Sequence, residues 1–190
     1  PLAGHDGRVL LIEAHEFARR HPYHPHKLAL VFAAMRRFRD RLREAGHEVD
    51  YYECETFREG LDAHFERHPD DELTVMRPAS HGAADRLREL VADAGGSLTV
   101  VDNETFLCST ADFDAWADGR ERLEHESFYR HVRRETGYLM ADGDPVGGEW
   151  NYDDQNRETP PEGYEPPTAP TFEYTDETRE VIEWVETEFG

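Results

Sequence analysis

Short apolar runs alternate with amphipathic stretches through the first half of the chain. Val9-Leu10-Leu11-Ile12 is a continuous apolar run of the kind found in strands buried on both faces. Leu28, Val31, Phe32, Met35, Phe38, Leu42 and Ala45 then recur at three- and four-residue steps. That spacing predicts one apolar face of a long helix, which Gly46 ends. Residues 48–52 return as a second strand, and a strand, a helix of this length and a strand make a right-handed crossover with parallel pairing. Phe57, Leu61 and Phe65 predict a short helix, residues 73–76 a third strand, and Ala84, Leu87, Leu90 and Val91 a helix that Ser80 is placed to cap. Residues 98–101 predict a fourth strand. The alternation reads as an α/β fold: a Rossmann-like parallel sheet with helices on both faces.

Beyond residue 101 the pattern changes. Thr110 is placed to cap a helix through Trp116, and a second helix runs from Glu124 to Thr136, with Phe128 and Val132 inward and Gly137 at its end. Residues 142–174 are rich in Pro, Gly and Asp and read as an extended arm, which Trp150 and Tyr152 tie to a surface. Residues 175–190 predict a terminal helix whose Val181, Trp184, Val185 and Phe189 need a partner. The organisation expected is an α/β domain over 1–141, an arm, and a last helix that either docks back or begins a helical domain.

Charge changes the picture most. The net charge is -21, and Lys27 is the only lysine. Abundant Asp and Glu with almost no lysine reads as a protein of a high-salt cytoplasm, where dense salt screens carboxylate repulsion. The periodicity argues against the acidic disordered alternative. Two cysteines outside any CxxC pair cannot build an iron–sulfur or structural zinc site alone. No run approaches the roughly 20 apolar residues of a membrane span, and no signal peptide is visible, so a cytoplasmic location is expected.

Ligands of parallel sheets gather outside the carboxyl ends of the strands. The loop from Glu13 to Lys27 lies there and holds Glu13, Glu16, Lys27 and the histidines His15, His21, His24 and His26. A polar ligand pocket and a solvated loop both fit it. A metal site is not assigned, because HxxHxH spacing on a Pro-containing loop lacks the i, i+4 geometry that aligns imidazoles. Arg36, Arg39 and Arg43 share a helix face, and Arg130, Arg133 and Arg134 form a second cluster near Tyr129 and Trp150. Each fits a phosphate-binding stripe or, with fewer assumptions, pairing to this chain's carboxylates and aromatic packing of the arm. No GxGxxG, P-loop, GxSxG or HExxH is present.

Four blocks carry a resemblance: His24 to Leu30 with Phe32 to Phe38; Phe106 to Ser109 with Trp116 to Arg120; Glu126 to Met140; and Pro145-Val146-Gly147-Gly148-Glu149-Trp150-Asn151-Tyr152 running on to Arg157. In this order they resemble the amino-terminal domain of the iron–sulfur bacterial cryptochromes and photolyases, the deoxyribodipyrimidine photolyase-related proteins, with an origin in a halophilic archaeon suggested by the charge. The resemblance implies a light-driven flavoprotein whose α/β domain holds a 6,7-dimethyl-8-ribityllumazine antenna. A carboxyl-terminal helical domain would hold FAD, a 4Fe-4S cluster and the DNA lesion. Members repair (6-4) photoproducts or signal. It further implies an excised antenna domain, lacking the first family strand with its Gly-Asp-Gln-Leu turn and lacking the helical domain, so that the fragment is inactive alone and meets DNA only through its parent. Glu13 matches a family glutamate, and His24 and Lys27 match the family approach to the long helix. With His15, Glu16 and Arg77 these make the expected cofactor site, with no catalytic residue. Phe17 stands where the family has a second acidic residue, and Arg77-Pro78 where it has Glu-Pro. A degenerate α/β module without a chromophore is the alternative expectation.

Overall fold

The computed structural model describes residues 7–189; apart from Gly7, the polar approach to the first strand lies outside the described residues, as does Gly190. The element order is β1 (Val9–Ala14), α1 (Glu16–Arg19), α2 (Pro25–Glu44), β2 (Val49–Cys54), α3 (Phe57–Arg67), β3 (Glu72–Met76), α4 (Ala83–Asp93) and β4 (Ser97–Val101). Then follow α5 (Thr110–Ala117), α6 (His125–Thr136), β5 (Met140–Ala141), β6 (Asp144–Pro145), a 3-10 turn (Asp153–Arg157) and α7 (Asp176–Phe189). The chain forms two compact units, one of residues 1–101 with 171–190 and one of residues 102–170.

The α/β reading holds, with parallel strands flanked by helices. β1 pairs with β2 in parallel from Val9↔Val49 to Ala14↔Cys54, and β3 pairs with β4 in parallel from Glu72↔Ser97 to Met76↔Val101. The four strands form two separate ladders rather than one sheet. A cleft of about 910 Å³ separates β1 from β3, lined by residues 9–12 on one side and 72–75 on the other.

Period-two alternation divides β1 between two cores. Leu10, Ile12 and Ala14 face α3 and α4, in a cluster with Leu61, Phe65 and Val91. Glu13 faces the other way, toward α2. On that side Leu28, Ala29, Phe32 and Ala33 of α2 pack against Val181 and Val185 of α7, which are 0% and 1% exposed. The terminal helix thus finds its partner on α2. This contact widens the apolar face of α2 to include Ala29 and Ala33, and leaves Val31 and Phe38, expected inward, about half exposed.

Capping chemistry sets most helix starts. His24 caps α2, its Nδ1 accepting from the His26 amide at 3.2 Å, so the long helix begins inside the expected loop, at Pro25. Thr56 and Glu59 form a capping box on α3, and Ser109 with Asp112 forms one on α5, one residue before the expected Thr110. α4 is capped by Gly82 in the left-handed region instead of Ser80, which contributes only its carbonyl to Ala83. Gly46, at φ 89, turns the chain after α2.

Gly60 lets α3 lie directly on β1: a Cβ there would sit 2.6 Å from Ile12 Cγ2. Ile12 is β-branched and packed, so it yields little room. Gly60→Ala should overpack the contact by about 1–3 kcal/mol, against a helix-propensity gain of about 1 kcal/mol. A net fall in the urea midpoint is the expected result.

In the second unit Trp116, Phe113 and Phe128 form an aromatic cluster, with ring centroids 4.9–5.9 Å apart. Arg133, 7% exposed, donates to the carbonyls of Tyr138 and Leu139 and, at 3.1 Å, to that of Trp150. Arg134 and Arg130 lie over the Trp150 ring at 4.6 and 5.2 Å. The second arginine cluster therefore ties residues 138–150 to α6.

Candidate functional site

The carboxyl end of β1 delivers Glu13, His15 and Glu16 to one rim. Glu13 is fully buried, a position a carboxylate holds only when paired and hydrogen-bonded. Arg36 of α2 supplies the pairing in a two-pronged contact, Nη2 to Oε1 at 2.6 Å and Nε to Oε2 at 3.1 Å. Tyr51 of β2 donates its hydroxyl to Oε2. The bond to Glu13 holds the Arg36 guanidinium above its ordinary pKa against the opposing effect of burial. Burial first, and the bond to Glu13 second, push the Tyr51 phenol up, so it remains a donor.

His15 stands beside this group. Its Nε2 lies 3.8 Å from Glu13 Oε1 and 4.0 Å from Glu53 Oε1, yet it is buried without an aligned hydrogen bond. Its ring packs on Trp184 at 5.0 Å and Phe189 at 6.2 Å. α7 therefore covers the rim from the α2 side, and the Arg36 guanidinium lies over Trp184 at 5.0 Å.

The other expected residues serve the local frame. Glu16 Oε1 accepts from the Phe57 amide at 2.9 Å, fastening the β1 loop to the start of α3. Lys27 is in the first turn of α2, its ammonium 4.4 Å from the Tyr23 ring. Arg77 follows β3, its amide donating to the Val101 carbonyl at 2.8 Å. Glu13, His15 and Glu16 are thus brought together, His24 and Lys27 sit at the start of α2, and Arg77 belongs to the other ladder. None of the six lines the cleft between β1 and β3.

Sequence reasoning did not place Tyr51 at the rim, and it named Arg36 and Trp184 without joining them to Glu13 and His15. Arg36 was legible as part of a stripe whose members pair with acids: Arg39 with Asp40 at 2.7 Å, Arg36 with Glu13 and, at 3.5 Å, Glu53. The parallel register gives the signal for Tyr51, since Glu13↔Glu53 pairing puts Tyr51 on the Glu13 face.

Parallel strands, with helices on both faces and a polar rim at the carboxyl end of β1, define a Rossmann-like α/β domain. The family model for the deoxyribodipyrimidine photo-lyase-related protein matches residues 2–190. The chain belongs to that family. It is 32% identical over 184 residues to a (6-4) photolyase of Agrobacterium fabrum, covering 94% of this chain and 36% of that protein. It is 23% identical over 141 residues to an uncharacterized protein of Acanthamoeba polyphaga mimivirus, covering 71% of each. The chain thus spans about a third of the photolyase it matches. Among the described residues, no helix is long and apolar enough to cross a membrane.

Proposed function

We propose that this chain is the amino-terminal antenna-type domain of a photolyase- or cryptochrome-like flavoprotein, one that places a ribityl chromophore for a partner FAD domain. The supporting observation is the rim itself. At the carboxyl end of a parallel strand, Glu13 of β1 is paired with Arg36 of α2, and the loop that follows begins with an imidazole that has an unused nitrogen. In such a domain the protein fixes ring orientation with a few polar groups, and the photochemistry belongs to the cofactor. Glu13, His15, Glu16, His24, Lys27 and Arg77 are the residues assigned to 6,7-dimethyl-8-ribityllumazine. FAD and a 4Fe-4S cluster would reside in the helical domain of the parent, through which DNA is met, whether for light-dependent repair of (6-4) photoproducts or for blue-light signalling.

The test is the absorption spectrum of the full-length protein, with and without added 6,7-dimethyl-8-ribityllumazine. A band near the edge of the visible, lost in a His15→Ala variant, is the expected result. A full-length protein that gains no such band on addition of the lumazine contradicts the reading. One observation favours the alternative of an α/β module without a chromophore: both Glu13 oxygens are taken and Trp184 and Phe189 pack on His15, so part of the rim is filled from within.

A further inference from the structure

At the opposite, amino-terminal end of the strands a second polar group is assembled. Asp50 is the second residue of β2 and shares the even face with Tyr52 and Cys54, which turns it toward α3. His64 stands in the last turn of α3, and His68 is the residue that caps its carboxyl end, so both imidazoles lie where the helix gives way to the turn before β3. Asp50 Oδ2 lies 3.5 Å from His64 Nδ1 and 3.0 Å from His68 Nε2, and one ligand atom from each of the three residues falls within 4.8 Å of the others.

We propose that Asp50, His64 and His68 form a binding site for a divalent transition metal of the zinc class. Four observations carry this. His64 is 1% exposed, and neither ring nitrogen has an aligned hydrogen bond; the same is true of Asp50 Oδ2. Buried polar atoms left in that state are costly, and donors that crowd together without pointing at one another suit a shared centre. The spacing fits: bonds of about 2.0–2.1 Å in tetrahedral geometry put ligand atoms about 3.3 Å apart, beside the observed 3.0 and 3.5 Å. An outer-shell carboxylate is also near. Asp71 Oδ2 lies 3.5 Å from His64 Nε2 without an aligned bond, placed to orient that imidazole once the ion is bound. Arg8 occupies the other Asp50 oxygen, Oδ1, at 3.6 Å, and leaves Oδ2 to the histidines.

Two imidazoles and one carboxylate select zinc or a similar borderline ion over calcium or magnesium, which take oxygen ligands. His64 also lines the 910 Å³ cleft, which gives the ion a way in. The ion would join β2, the end of α3 and the turn leading to β3, where the Asp71 amide donates to the His68 carbonyl at 3.2 Å.

Zinc chloride titrated into the chelator-stripped chain, against a chromophoric competitor, tests the site. One equivalent should bind. His68→Ala, at a partly exposed position after the helix, should weaken binding by more than about 100-fold, and Asp71→Asn by about tenfold. His24→Ala/His26→Ala should leave it unchanged. Circular dichroism of the zinc-free His68→Ala protein shows that the variant is folded, and cobalt(II) as a second probe should give ligand-field bands that His64→Gln removes. Absence of stoichiometric uptake overturns the proposal. So does binding that survives His68→Ala, or that is lost with the loop histidines instead.

Discussion

Replacing Arg36 with alanine is expected to cost the fold about 3–5 kcal/mol, the range for removing one partner of a buried ion pair. Glu13 has no solvent to fall back on, and Arg36 supplies both of its charged contacts at hydrogen-bond distance. Without Arg36 the carboxylate keeps the Tyr51 hydroxyl and a His15 nitrogen 3.8 Å away, too little to offset its desolvation. Urea unfolding should show a lower midpoint at unchanged slope. The double variant Glu13→Leu/Arg36→Met should recover most of the loss, because apolar replacement of a whole buried pair is often neutral or stabilising. A double variant no better than Arg36→Ala would place the cost in lost packing on Trp184. Arg88→Ala, which breaks an exposed i, i+3 pair with Asp85, should change stability by less than about 1 kcal/mol.

Phe32→Ala should cost about 3–5 kcal/mol, the cost of truncating a core aromatic. Phe32 is 5% exposed and stands where α2, α7 and the β1 rim meet. Its ring is edge-on to Trp184 at 5.0 Å and His15 at 6.1 Å, and stacked on Phe189 at 6.1 Å. The variant leaves a void on the α7 seam that Val181 and Val185, already fully buried, have no freedom to fill. In a Trp116→Phe/Trp150→Phe background, Trp184 emission should shift to longer wavelength before the main unfolding transition. An unshifted Trp184 with unchanged stability would mean that α7 is held by Val181 and Val185 alone.

The strand–helix alternation was legible because each element carries a single period. Val9 to Ile12 reads as a strand, and the spacing from Leu28 to Leu42 as a helix. Two strand pairs divided by a cleft were not legible, since apolar content alone does not say which strand edge is paired. Glu13 was visible as the first polar residue after an apolar run. Its partner was not, because which residue meets Glu13 depends on the rotation of α2 and the register of β2. Trp184 and Phe189 were read as needing cover, yet sequence spacing does not choose α2 over any other apolar surface. His64 and His68 were not singled out in the sequence, because what brings them together with Asp50 is the end of α3 and the alternation of β2.

The divided ladder has a consequence for how this layer opens. Among the described residues β1–β2 and β3–β4 share no ladder; side chains join them, through one apolar cluster that takes in Leu10 and Ile12, Leu73, Leu98 and the facing sides of α3 and α4, and through Arg8, which reaches Asp50 and Asp71. Opening along that seam would part side chains without breaking a strand ladder, since local opening follows the contacts that a segment shares. The rim at Glu13 rides on the first ladder and Arg77 follows the second, so a molecule that touched both would brace the seam between them.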